Sequence, residues 1–319
     1  MTKNLLSIAL FIILLNSCVS TSRNSNHDNN SAVNTNVTQA NLPADRRPDS
    51  LTNLPRTEEG GFVLAPGYYE AEFKTYCLQP GTPGPSSNDA YLEAPLSGYR
   101  KDIIETILYN SRSYSNIEQR NVQLLLWSVV SKSDFNNLSP AVKSDAMQLL
   151  SPKQIFELKG GVMGVVKTVS SNLPNGVTNG HNDLKRLFDM GTSSYEAFEK
   201  IAVLREASQI KRAGFKNDQW YKQEENYYVR YLPVNYQKVR IQVYVPDGVL
   251  DSSGKASGEY LVFDPTGLQA IPANSNAQRL GIGGPFLDIV RAVIKINKQP
   301  GPPKKLPDNQ KNKKIASKT

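Results

Sequence analysis

The sequence predicts a mixed α+β fold with an antiparallel sheet. Residues near 66–78 and 225–264 alternate apolar with polar side chains, which is typical of half-buried strands. Residues 97–213, between them, space their apolar side chains by three and four, which is typical of helices. Strands, then a run of helices, then strands again favour a separate sheet and helical layer. We therefore expect one α+β domain over residues 61–297.

The strand signals are cleanest at the two ends of this domain. The first strand places one set of side chains on a single face: Tyr69, Ala71, Phe73, Thr75 and Cys77. The later strands do the same with Tyr227, Val229 and Tyr231, and then with Val239, Ile241, Val243 and Val245. A third strand is expected from Gly258 to Phe263.

The helical block contains recognisable helix starts. Ser139-Pro140 and Ser151-Pro152 each place a side-chain acceptor at the cap and a proline in the first turn. Ser115, followed three residues later by Glu118, has the pattern of a capping box.

Further helices are expected on both sides of these starts. The helix after Ser115 is apolar nearly all round up to Val130, so we expect it to be central and buried. Additional helices are predicted at 182–190, from Tyr195 to Ala213, and from Pro285 to Ile296.

The first residues predict export and lipid attachment. Residues 1–17 comprise a basic start, an apolar run from Leu5 to Leu15 and a short polar stop. A membrane-spanning helix needs about 20 apolar residues, so the run fits a cleaved signal peptide better. The letters LNSC, ending at Cys18, resemble the lipobox of bacterial lipoproteins. The resemblance implies that the chain is cut before Cys18 and that this residue carries the lipid.

The residue after the lipobox bears on localisation. It is Val19 rather than aspartate, which in the enterobacterial sorting rule that it resembles directs a lipoprotein to the outer membrane. The segment also lacks the early acidic cluster that marks surface export in Bacteroidota-like lipoproteins. We therefore expect an outer-membrane, lipid-anchored protein that faces the periplasm.

Two segments are predicted to be disordered. Residues 18–60 are rich in Asn, Ser and Thr and read as a tether, and residues 298–319 form a lysine-rich basic tail. The tail carries much of the formal net charge of +8. Within the tether, Asp49-Ser50-Leu51 resembles the short O-glycosylation motif of Bacteroidota, which makes Ser50 a candidate modification site.

Two residues could support thiol catalysis. If Cys18 carries lipid, Cys77 is the one remaining thiol, and His181 is the one histidine outside the tether. A thiol hydrolase needs an imidazole to deprotonate its nucleophile, so Cys77 with His181 is the candidate pair. The competing interpretation is a buried core cysteine and a loop histidine, because Cys77 lies in a strand and not at a helix start.

An aromatic and cationic stretch offers a candidate ligand-binding surface. Its residues are Trp220, Tyr221, Tyr228, Arg230 and Arg240. Aromatic faces beside cations can stack on sugars, and export favours a glycan over nucleic acid. The competing interpretation is that the tyrosines pack within a sheet.

No cofactor or metal is predicted. One histidine and one free cysteine supply no ligand pair at metal-binding spacing. Carboxylate pairs such as Glu70 and Glu72 have the types a glycosidase needs, but the solvated face of a strand explains them as well. The long segment from Asp264 to Pro285 reads as a loop that could meet a partner.

These expectations favour a non-enzymatic function. We expect a lipid-anchored accessory or structural subunit of an outer-membrane, secretion or cell-wall assembly, with the membrane and an envelope protein as partners. A polysaccharide- or peptidoglycan-binding module is one alternative. A hydrolase that uses Cys77 and His181 is the other.

Overall fold

The computed structural model describes residues 38–40, 42, 47–160, 175–205 and 214–296. Within these residues it contains six α-helices and sheets built mainly from antiparallel strands, so the predicted α+β class is confirmed. The observed sheet goes beyond the predicted one, because six of its strands close into a barrel. The predicted signal peptide, Cys18 and the basic tail lie outside the described residues.

The barrel strands come from three separate parts of the chain. They are β1 (Gly67–Cys77), β2 (Tyr91–Ala94), β3 (Tyr228–Asn235), β4 (Lys238–Val245), β5 (Gln269–Pro272) and β6 (Leu280–Pro285). Their order around the barrel is β3, β4, β1, β6, β5, β2, and all neighbours are antiparallel. Tyr231 pairs with Tyr91, which joins β3 to β2 and closes the ring. The Tyr231 hydroxyl also donates to the Glu93 carboxylate across this seam.

The six helices share one central member. They are α1 (Lys101–Asn110), α2 (Gln119–Val130), α3 (Pro140–Leu149), α4 (Pro152–Leu158), α5 (Asn175–Asp189) and α6 (Tyr195–Ala202). Helix α2 contacts α1, α3, α5, α6 and the barrel strand β1. The prediction of a central, buried second helix is therefore confirmed.

Two of the three predicted helix starts form as expected. The Ser139 hydroxyl accepts the Val142 amide, and Ser151 forms a full capping box with Gln154. The start predicted at Ser115 is wrong. A turn closed by the Ile117 amide and the Tyr114 carbonyl precedes α2, so the helix begins only at Gln119.

The segment Asp264–Pro285 is part of the barrel and not a loop. It supplies β5 and β6, which the predicted sheet lacked. The glycines of β6 allow helix α1 to lie directly on the strand: a Cβ on Gly281 would come within 2.9 Å of the Leu108 side chain. The glycine pattern therefore reflects close packing between helix and strand.

Two predicted helices are shorter or absent. Helix α6 ends at Ala202, and Val203–Leu204 then pairs in parallel with Thr82–Pro83; part of the remaining predicted helix lies outside the described residues. The helix predicted from Pro285 to Ile296 is wrong. That segment is extended, and its strand Val293–Ile294 pairs in parallel with Arg56–Thr57.

The fold begins before residue 61. Residues 47–60, which the sequence assigns to the tether, include a short helical turn, Leu51–Asn53, and Leu51 is fully buried. A further 3₁₀ turn is Phe135–Asn137. The other short strands are Gln39–Ala40, Asp49–Ser50, Phe62–Val63, Trp220–Lys222, Lys255–Ala256, Glu259–Tyr260 and Val262–Phe263. Across the described part of the chain, no helix has the length and apolar character needed to span a membrane.

The packing of the barrel interior should contribute much of the free energy of unfolding of the domain. Ile241 is fully buried between Ala71 and Tyr231, its neighbours on β1 and β3. We expect Ile241→Ala to lower the free energy of unfolding by about 2–5 kcal/mol, because it removes buried carbon and leaves a cavity. Val234→Ala, at an exposed position of β3, should change it by less than about 0.5 kcal/mol. Urea unfolding measures both, and equal losses would contradict this account of the core.

Candidate site at Cys77 and Gln123

Cys77 is the last residue of β1. Its main chain pairs with Leu280 of β6, and its side chain is fully buried. Burial raises the pKa of the Cys77 thiol to about 12, although the nearby Trp127 side chain and Gln79 main chain lower it in part. At neutral pH the thiol is therefore protonated and a poor nucleophile.

The open edge of β1 at Cys77 is occupied by a glutamine side chain. Strand β4 begins at Lys238, opposite Lys74, so it has no residue beside Cys77. The Gln123 carboxamide takes that place: its Oε1 accepts the Cys77 amide at 2.8 Å, and its Nε2 donates to the Cys77 carbonyl at 3.1 Å. Gln123 is only 1 % exposed. Two buried main-chain groups are thus paired by one side chain.

Helix α2 places Gln123 within a run of buried apolar side chains. Val122, Leu124, Leu125 and Leu126 are all buried, so the one polar side chain among them must find a partner. Gln119, one turn earlier, donates to the carbonyls of Thr75 and Gln237. The helix therefore runs along the end of β1 with two glutamines facing its main chain.

Trp127 completes the surroundings of the thiol. It lies one turn after Gln123 on α2, is fully buried, and stacks on Tyr195 with ring centroids 5.6 Å apart. Its indole is close enough to Cys77 to affect the thiol pKa. Its Nε1–H nevertheless has no hydrogen-bond acceptor of adequate geometry. The Trp127 indole is therefore a buried donor close to the Cys77 thiol, and its contact with the sulfur lowers the thiol pKa in part.

His181 makes different contacts. It lies on α5, and its Nδ1 is 3.0 Å from the Val130 carbonyl. Because a carbonyl only accepts, Nδ1 carries the proton. Burial lowers the His181 pKa, with a smaller contribution from Lys132. In the described part of the chain, no hydrogen bond joins His181 to Cys77, so the structure does not assemble the predicted pair as a nucleophile and its base.

The aromatic stretch is largely internal. Trp220 and Tyr221 are buried, and the Arg230 guanidinium covers the Trp220 ring with its carbon 4.4 Å from the ring centroid. Tyr228 is half-buried, with its ring 6.4 Å from that of Tyr244. Arg240 approaches Glu70 and Glu72. The residues predicted for ligand binding thus make contacts within the fold, and glycan binding stays a prediction.

The remaining predicted positions have simpler surroundings. Ser50 is exposed, and its hydroxyl caps the turn at Thr52, so modification there stays a prediction. Among the residues that the structure describes, no group of three or more His, Cys, Asp or Glu side chains could hold a metal ion.

Gln123 and Trp127 are functional candidates that the sequence does not single out. Their signal is weak: one glutamine and one tryptophan in the largely apolar run from Val122 to Val130, which a buried helix would explain as well. Comparison with protein-family models, with curated proteins and with solved structures gives no match. The contacts of Cys77 therefore carry the functional argument.

His181 should make stability depend on pH. Its folded pKa lies below the ordinary value of 6.5, so between the two values the unfolded chain binds more protons than the folded chain. The free energy of unfolding should therefore rise as pH increases through this window and fall when pH drops below about 6.5.

Urea unfolding of the parent chain and of His181→Gln, at about pH 7.5 and about pH 5.5, measures this contribution. The substitution should flatten the dependence in that interval, because glutamine does not titrate. An unchanged slope would show that His181 titrates alike in the folded and unfolded chains.

Proposed function

We propose that this chain is a lipid-anchored envelope protein whose domain attaches to a partner through an internal thioester between Cys77 and Gln123. The observation that carries the proposal is the double hydrogen bond from the Gln123 carboxamide to the main chain of Cys77. These bonds hold the amide group beside the residue that bears the thiol. A thiol and a carboxamide in fixed proximity can exchange acyl partners.

The reaction needs no cofactor or oxidant. The Cys77 sulfur attacks the Gln123 side-chain carbonyl carbon, and a new S–C bond forms. The C–Nε2 bond breaks, the thiol proton passes to the leaving nitrogen, and ammonia departs. The Cys77 amide, which donates to Gln123 Oε1 at 2.8 Å, would stabilise the negative charge that develops on this oxygen.

The surroundings of the pair suit such a bond. Both side chains are buried, so water would reach the thioester slowly and hydrolysis would be suppressed. The Trp127 Nε1–H is a buried donor close to the Cys77 thiol, and an acyl oxygen could accept from it.

A groove lies next to the tyrosine side chains that lead to Trp127, and its lining includes neither Cys77 nor Gln123. It has a volume of about 510 Å³, and its walls include Glu199, Tyr236 and Gln237. The Tyr236 hydroxyl bonds to Tyr195, which stacks on Trp127. An amine or hydroxyl group of a partner that enters this groove would need Tyr195 and Tyr236 to move aside before it could attack the thioester carbonyl. Cys77 would then leave as a free thiol, and the partner would become bonded to Gln123.

This proposal keeps the non-catalytic accessory role expected from the sequence. Attachment consumes the thioester once and does not turn over, so it needs no imidazole base. Burial raises the thiol pKa to about 12, so thioester formation must begin from the protonated thiol, whose proton passes to the leaving nitrogen. An envelope protein or a glycan could supply the attacking group, and an N-terminal lipid would hold the domain near either one.

Intact mass provides the test. In a chain that begins at Val19, Cys77 is the one cysteine present. We expect its mass to fall short of the sequence mass by one ammonia. We also expect no free thiol on unfolding in the presence of a thiol reagent, and incubation with methylamine should add one methylamine.

Two variants serve as controls for this measurement. Cys77→Ala and Gln123→Glu should both show the full sequence mass and no reaction with methylamine, and Gln123→Glu should expose one free thiol on unfolding. Glutamate keeps an oxygen that can accept the Cys77 amide but loses the donor to the Cys77 carbonyl, so thermal unfolding must first show that this variant is folded. Cys77→Ala leaves both main-chain hydrogen bonds in place and is the control that retains the fold. An unmodified mass with a free thiol in the parent chain would refute the thioester.

Lipid attachment has an independent test. Expressed in bacteria, the chain should partition with membranes and carry acyl mass on Cys18, whereas Cys18→Ala should lose both because no thiol remains to be acylated. Ser17→Thr, which keeps a small residue before the cysteine, should behave like the parent chain. Membrane association without acyl mass would contradict the predicted lipobox.

A further inference from the structure

Residues 286–294, here called the apolar strip, leave large apolar side chains in solvent. Leu287 is 70 % exposed, Val290 53 % and Val293 56 %, and Phe286 and Ile289 are also exposed. Scattered apolar residues are normal on a surface, but several in one short segment mark an interaction site. The strip directly follows the last barrel strand, so it lies on the folded domain.

The strip is held in place. The Phe286 amide donates to the Glu72 carbonyl at 2.8 Å, and the Arg56 amide donates to the Ala292 carbonyl at 2.8 Å. Between these anchors, the Asp288 carboxylate accepts from the Arg56 guanidinium at 2.9 Å. The backbone is therefore tied down at both ends and in the middle while the apolar side chains point outward. A surface fixed in advance loses little conformational entropy when it binds.

Most charges beside the strip are paired within the domain, and Arg291 is the exposed cation of the strip itself. The strip's one carboxylate, Asp288, is neutralised by Arg56, whose side chain is almost fully buried. Lys295, which follows the strip, lies 3.7 Å from a Glu58 carboxylate oxygen. The chain then continues into residues 298–319, which contain seven lysines and one aspartate. Apolar side chains with adjacent cationic residues are the combination that binds anionic membrane surfaces.

We propose that the apolar strip docks on an anionic lipid surface. The apolar side chains would enter the headgroup region, and the exposed Arg291 would meet lipid phosphates. An N-terminal lipid on Cys18 would hold the domain close to the same surface and raise the effective concentration of the strip there. This docking is separate from the chemistry of Cys77, and either proposal can fail without the other.

Vesicle binding tests the proposal. The described fold lies within residues 38–296, so a chain from Val19 to Thr319 keeps it intact and lacks both lipid and signal peptide. We expect this chain to cosediment with phosphatidylglycerol vesicles, to bind phosphatidylcholine vesicles far less, and to dissociate as salt increases. Leu287→Ser with Val290→Ser should weaken binding by about tenfold or more, because two apolar side chains no longer leave water.

Matched variants distinguish vesicle binding through the strip from binding through any exposed apolar side chain. Met147→Ser with Met190→Ser removes two other exposed apolar side chains and should leave vesicle binding within about twofold of the parent. Equal binding by the strip variant and the parent, or equal binding to both lipid compositions, would overturn the proposal. So would sedimentation that shows a dimer which the strip variant abolishes, since a second copy would then cover this surface.

Discussion

The structure depends on how the main-chain hydrogen-bonding groups at the end of strand β1 are paired inside the protein. Strand β1 pairs with β4 on one side and β6 on the other, but β4 stops short of Cys77. The main-chain groups of Cys77 are buried, so leaving them unpaired would be costly. Gln123 pairs both of them. This requirement fixes helix α2 against the barrel, and the other helices of the block pack around α2.

The same constraint creates the chemical site. A side chain that substitutes for a neighbouring strand must lie in the plane of the sheet, close to the residue whose main chain it pairs. When that residue is a cysteine, the carboxamide is held against the main chain of the residue that bears the thiol. Burial then makes the free thiol unreactive toward solvent and protects any bond formed between the two. Fold stability and the proposed reactivity thus depend on the same two hydrogen bonds.

In the apolar strip, polar contacts hold the backbone while the apolar side chains stay exposed. Its anchor is Arg56, a buried guanidinium that binds Asp288 and the Gly60 carbonyl and lies over the Phe62 ring at 3.7 Å. These contacts are strong enough to hold the segment extended, although its apolar spacing resembles that of a helix. The domain consequently orders a segment whose apolar side chains it does not bury. Several exposed apolar side chains in one ordered segment mark an interaction site.

Local pattern determined much of the secondary structure. The alternation in β1 and β4, the caps at Ser139 and Ser151 and the buried character of α2 are all readable from the sequence, because each depends on neighbours within a few residues. The α+β class follows from them, whereas the lipid-bearing Cys18 stays a prediction from the resemblance of LNSC to a lipobox. Closure of the barrel is not readable in this way, since it depends on Tyr231 meeting Tyr91 across a long sequence separation.

The features of the candidate site likewise divide into those that the sequence predicts and those that only the tertiary structure shows. The sequence by itself determined that Cys77 is a strand cysteine with few candidate partners. It also determined that the other histidine, His27, lies in the predicted tether, away from His181. Only the tertiary structure decided that the partner of Cys77 is Gln123, and that residues 286–294 are extended. In both cases the deciding contacts join residues distant in the chain: a strand edge that needs hydrogen bonds, and a buried arginine that needs a carboxylate.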